Sequence, residues 1–150
     1  MYTDTCLVEL KFWFIVSLAI VIMGIGFFAM DKSASTVTIG SAIISAEVAD
    51  TQVQRMRGLS GREGLAPDSG MLFIFETDGK WGIWMKDMRF SLDIIWADAS
   101  GNIVTIERGA ALESYPKAFE PSAPARYVLE VPAGFSERHG ITEGMKLEFK

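Results

Sequence analysis

Nineteen consecutive positions, Phe12 to Met30, carry no charge and, apart from Ser17, only apolar or small side chains. A helix needs about 20 such residues to cross the hydrocarbon core of a bilayer. The run therefore predicts a transmembrane helix over 12–30 behind a short tail of residues 1–11. Cleavage as a signal peptide is the competing reading, with Ser33-Ala34-Ser35 as the processing site. Signal peptides usually have an apolar core of about 7–15 residues, and this one is longer, so a retained signal anchor is preferred. The flanking charges do not set orientation: Lys11 precedes the run beside Asp4 and Glu9, and Lys32 follows it. A short anchor ahead of a compact domain places that domain outside the cytoplasm. The expectation is a single-pass protein of the inner membrane with a periplasmic domain, or a secreted domain if the segment is cleaved.

With the span set aside, the 49% apolar fraction is no longer unusual. Residues 31 to 150 read as a polar linker over 31–36 and one globular domain over 37–150, long enough to bury a core. That portion carries 13 Lys and Arg against 17 Asp and Glu, a net charge of −4, with the signs interspersed. Nucleic acid is not expected as a partner, because its binding rests on neutralising phosphates. The one cysteine, Cys6, precedes the span, so the domain has no internal disulfide and no lipid-acceptor cysteine.

Short apolar runs broken by turn residues organise the domain. Val37 to Ala49 reads as two strands around Gly40-Ser41. Asp50-Thr51 followed by Gln54 is a capping box, predicting a helix of about three turns that ends at Gly58 or Gly61. Gly64 to Gly70 is a loop. Strands follow over Met71–Phe75, Gly82–Met85 and Leu92–Ala97, then a turn at Asp98–Asn102 and a strand over Ile103–Glu107. Ser114 to Pro124, with three prolines, is an extended loop. Arg126–Val131 and Met145–Phe149 are further strands, and Gly134–His139 a single helical turn. The fold class is mainly β, α+β at the margin: a compact, barrel-like antiparallel domain with one short helix.

Candidate chemistry concentrates between Gly58 and Asp98. With a single histidine, His139, and no domain cysteine, a zinc site of the usual kind cannot be assembled. No metal or cofactor is expected, although Asp87, Asp93 and Asp98 leave an all-oxygen calcium site open. His139 reads as an exposed helix end. Arg55, Arg57 and Arg62 can together hold an anion, or form salt bridges with Glu63, Asp68 or Glu130. Trp84 and Lys86 would share one face of a strand, an aromatic and a cation that suit a sugar ring or an anion; alternatively Trp84 is core and Lys86 reaches past it to solvent. Asp93 and Glu130 lie inside apolar runs and need partners if buried; Arg57, Arg126 or Lys86 would serve for Asp93. Paired, these acids are structural; unpaired in a cleft, they are acid/base candidates, and two carboxylates suit glycoside hydrolysis.

Six segments also carry a family resemblance: Glu47-Val48-Ala49, Arg57-Gly58-Leu59-Ser60-Gly61-Arg62, Gly70-Met71-Leu72-Phe73, Trp84-Met85-Lys86-Asp87, Leu92-Asp93-Ile94-Ile95 and Val128-Leu129-Glu130-Val131-Pro132-Ala133-Gly134. In order and spacing, over roughly 37 to 149, they resemble the blocks of the DUF192 family. The resemblance implies a small β-rich extracytoplasmic domain, with no established activity or cofactor. One departure is Asp87, where many members carry Asn. The functional expectation is a tethered module that binds a small polar or anionic ligand, or an envelope protein, through Arg57, Arg62, Trp84, Lys86, Asp87 and Asp93. An envelope hydrolase using Asp93 and Glu130, and a structural partner of another membrane protein, are the alternatives.

Overall fold

The computed structural model describes residues 34–150, so the expected span over 12–30 lies outside the described residues. Among the described residues nine strands form, β1 (Ala34–Ile39), β2 (Ala42–Ala49), β3 (Ser69–Gly79), β4 (Ile83–Trp84), β5 (Leu92–Ala97), β6 (Ile103–Ala110), β7 (Ala118–Phe119), β8 (Ala125–Pro132) and β9 (Leu147–Phe149). The described residues also hold two short α-helices, α1 (Gln52–Arg57) and α2 (Phe135–Arg138), and a 3-10 turn over Leu112–Ser114. The first strand begins at Ala34, inside the stretch expected to be linker.

Seven strands make one sheet in the order β6-β5-β8-β3-β2-β1-β9, and β4 pairs with β7 in a separate ribbon. All pairs are antiparallel except β2 with β3, which run parallel. The all-antiparallel expectation fails there because α1 carries the chain back across the sheet end, the crossover that parallel neighbours require. The sheet curls until its outer strands meet. Asn102 bridges Lys146, Ile103 N–H donates to the Met145 carbonyl and Leu147 N–H to that of Gly101, both at 2.8 Å.

Alternation along the strands produces two apolar layers. Val37, Ile39, Ile44, Leu72, Ile95, Leu129 and Val131 pack inside the curl with Phe135 of α2. The opposite face presents Met71, Phe73, Ile94, Trp96 and Val128, covered by Leu59, Ile83, Met85 and Phe119 from the connecting segments. Glu130 lies on that covered outer face, and Asp93 on the inner one.

The capping box forms as read: Thr51 Oγ1 accepts from Gln54 N–H at 3.3 Å, and Gln54 Oε1 accepts from Thr51 N–H at 3.0 Å. The helix is six residues long, not three turns. Gly58, at φ 49°, stops it in a conformation that only glycine adopts without strain.

Candidate functional site

The chain leaving α1 is stitched to the turn after β4. Ser60 Oγ donates to the Lys86 carbonyl and Gly61 N–H to that of Asp87, both at 2.9 Å. Asp87 has φ 56°, a left-handed conformation in which Asp and Asn are the favoured non-glycine residues. The Asp-for-Asn departure is thus a turn residue replaced by one that fits the same backbone. Leu59 is driven into the outer apolar layer, and Arg62 is brought over the sheet.

There Arg62 forms a two-bond fork with Glu47 of β2, at 2.6 and 2.7 Å. Glu47, Met71, Glu130 and Ile94 are register partners across β2, β3, β8 and β5, one row on the outer face. Glu130, 5% exposed, sits among apolar neighbours in that row. Its Oε2 is buried and finds no hydrogen-bond partner among the described residues. Burial pushes the Glu130 carboxyl up to about 8, against a smaller opposing pull from the Arg62 charge. The Arg62 guanidinium is held above its ordinary value chiefly by the bond to Glu47. At neutral pH Glu130 therefore carries its proton and can donate a hydrogen bond.

Asp93 does the opposite job on the opposite face. Its register partner is Val131, one position along from the pairing of Ile94 with Glu130, so the two carboxylates point to different sides of the sheet. Oδ1 of Asp93 accepts from the N–H groups of Gly109 and Gly134 at 2.9 and 3.1 Å. Oδ2 accepts from Ser136 N–H at 2.8 Å. None of the basic partners foreseen for Asp93 is used: backbone amides hold it, tying β5 to β6 and to the start of α2. Arg126 pairs with Asp78 at 2.7 Å.

Above Glu130 the surface opens into a groove of about 750 Å³ between α1 and the segment Trp81–Trp84. Phe75 and Trp81 stack at 4.3 Å with 5° between planes. Arg55 is laid over Phe75 at 5.1 Å while Nη1 donates to the carbonyls of Asp50 and Ile74. It is therefore a wall and not a mobile anion ligand. Trp96 Nε1 donates to the Trp81 carbonyl at 2.9 Å, fixing that segment to the sheet. Trp84 is 51% exposed, neither core nor covered. Lys86 Nζ lies 5.9 Å from the centre of its ring, and Tyr115 meets its edge at 6.0 Å. The pairing of Trp84 with Lys86 thus exists, although β4 ends at Trp84 and a turn, not a strand, delivers Lys86. Asp50, Thr51, Gln52, Glu76 and Thr77 give the groove its polar edge.

Of the six proposed binding residues, Trp84 and Lys86 come together beside the groove, with Asp87 in the adjoining turn. Arg57 lines the inner end near Glu130, Arg62 is committed to Glu47, and Asp93 lies on the other face. Among the described residues no three His, Cys, Asp or Glu side chains gather as for a metal. Sequence reasoning missed Glu47, Phe75 and Trp81. For Glu47 the signal was present, an acid in an alternating strand, the same signal that marked Asp93 and Glu130.

The model of the DUF192 family (Uncharacterized ACR) matches residues 35–149. A UPF0127 protein of Thermococcus gammatolerans is 28% identical over 100 residues, 65% of this chain. The match spans 61% of that relative, less than two thirds of its length. A crystal structure described as a candidate transcription regulator from Sinorhizobium meliloti is 32% identical at a TM-score of 0.74, covering 79% of this chain and 95% of that one. A protein of unknown function from Novosphingobium aromaticivorans is 27% identical at a TM-score of 0.71, over 82% and 89% of the two chains.

Proposed function

The chain belongs to the DUF192 family, and from that membership and the site's geometry we propose that it is a binding module for a neutral saccharide, tethered by residues 12–30 at the outer face of a membrane. One observation carries the reading: an open groove of about 750 Å³ whose walls combine stacked and exposed aromatic rings with short polar side chains. Ligand sites are typically concave, mostly apolar and of this size, with a few polar groups that fix orientation. A sugar ring offers an apolar face to Trp84 and hydroxyls to Asp50, Gln52, Glu76 and Thr77. The two carboxylates among those residues disfavour a polyanion. The same argument weighs against nucleic acid as the ligand.

A hydrolase built on the pair Asp93 and Glu130 loses support, because the sheet separates the two acids. A protein partner is the second reading, favoured by Val53 and Met56, which stand 73% and 71% exposed on α1 beside the groove. Calorimetric titration of the full-length chain in detergent with cellotriose and chitotriose tests the saccharide. Binding that falls at least tenfold in Trp84→Ala is the expected result. Absence of binding by both sugars, with a protein crosslinked through Met56, would move the assignment to the second reading.

A further inference from the structure

Beneath the groove a slot of about 60 Å³ reaches Glu130. It adjoins the groove, with Met56, Phe73, Ile83 and Trp84 lining both. Leu59 and Met88 complete its apolar walls. Among the described residues Glu130 is the one carboxyl that lines it, 5% exposed and with Oε2 unpartnered.

We propose that this slot is a subsite for one uncharged acyl substituent of the sugar, of the acetamido kind, whose carbonyl oxygen accepts a hydrogen bond from the Glu130 carboxyl. The inference rests on the saccharide reading of the groove and adds to it which sugars are preferred. The slot holds about the volume of two liquid waters, enough for a substituent of three or four heavy atoms. Charge selects its chemistry. An ammonium group would meet Arg55 and Arg57, which line the slot, and Arg62, whose charge is felt at Glu130. A carboxylate would be desolvated against Leu59, Ile83 and Met88. It would find the Arg62 fork held by Glu47 and Arg55 Nη1 held by the carbonyls of Asp50 and Ile74, which leaves the Arg57 charge alone to offset that cost. A neutral carbonyl has neither difficulty, and the methyl of an acetyl group suits the apolar walls. Because burial keeps Glu130 protonated up to about 8, the donor is present at neutral pH and absent in base.

The test compares chitotriose, which bears acetamido groups, with cellotriose, which bears hydroxyls there, on the full-length chain in detergent. Chitotriose binds at least tenfold more tightly at pH 6, and its affinity drops about tenfold between pH 6 and pH 9 as Glu130 ionises. Glu130→Gln, whose amide still donates but cannot ionise, keeps chitotriose binding at pH 6 within a few-fold and removes the pH dependence, whereas Glu130→Leu, which has no donor, weakens it at least several-fold. Equal affinity for the two sugars, still abolished by Trp84→Ala, overturns the subsite and leaves the groove reading standing. A preference for chitotriose that is flat with pH in the parent chain, or that survives in Glu130→Leu, also overturns it. Failure of both sugars to bind removes the groove reading and the subsite together.

Discussion

Asp93 and Glu130 look alike in the sequence, each an acid inside an apolar strand, and the fold gives them opposite electrostatic fates. Asp93 is met by three backbone N–H groups, whereas Glu130 Oε2 is met by none. Removing Asp93 orphans three buried or half-buried donors, so Asp93→Ala is expected to cost about 3 kcal/mol or more, read from the denaturation midpoint. Glu130 gives the reverse pH behaviour. Its folded-state pKa of about 8 stands above the ordinary 4.5, so between those values the folded chain holds a proton that the unfolded chain releases. Its contribution is present below about pH 4.5 and is lost as pH rises to about 8, on the order of a few kcal/mol. Burial sets this balance, and the Arg62 charge pulls the other way. Glu130→Gln should flatten that part of the melting temperature against pH and melt higher than the parent chain at pH 8. No sequence pattern separates the two acids, because period two assigns faces within a strand but not which face of one strand matches which of its neighbour. That takes the register of Asp93 against Val131.

At the scale of elements, sequence signals that act within a few residues carry more than those that depend on packing. The capping box at Thr51 and the stop at Gly58 both operate as read, yet the helix is shorter than expected because nothing apolar on α1 is buried to extend it. With so little packing to support it, α1 depends on its cap. Thr51→Ala is expected to cost about 1 kcal/mol and, because Thr51, Gln52 and Met56 line the groove, to weaken ligand binding as well. Faster amide exchange confined to residues 52–58 would locate the effect. The same helix explains the parallel β2–β3 pair. A strand, a helix and a strand were all legible in order, but an α1 crossover and a long hairpin loop share one sequence pattern. The groove was legible only in part, since Trp84 and Lys86 are close in sequence while Phe75 and Trp81 are stacked through a bend in β3.

For the whole molecule the decisive contact joins strands that neither adjoin in sequence nor belong to the site. The curl closes where Gly101 and Asn102 meet Lys146 and Leu147. A turn was foreseen at Asp98–Asn102, and Asp98 does hold it, its Oδ1 accepting from the N–H groups of Ser100 and Asn102. Nothing in the sequence announces that the turn also docks on the last strand, because the glycine looks like ordinary turn chemistry. Gly101 has φ 84°, and a Cβ placed on it would lie 2.4 Å from the Leu147 carbonyl oxygen. Gly101→Ala therefore meets two penalties, backbone strain of about 1–2 kcal/mol and a clash that β9 can relieve only by leaving the seam. The expected loss is about 2–3 kcal/mol of stability, read from the urea midpoint, with faster amide exchange at Ile103 and Leu147. Saccharide binding by the folded fraction should be unchanged, because the groove and Glu130 belong to the outer face while the closing strands enclose the inner one. If binding fell in step with the seam, the two layers would be energetically coupled, and the separation of scaffold from site across the sheet would be wrong.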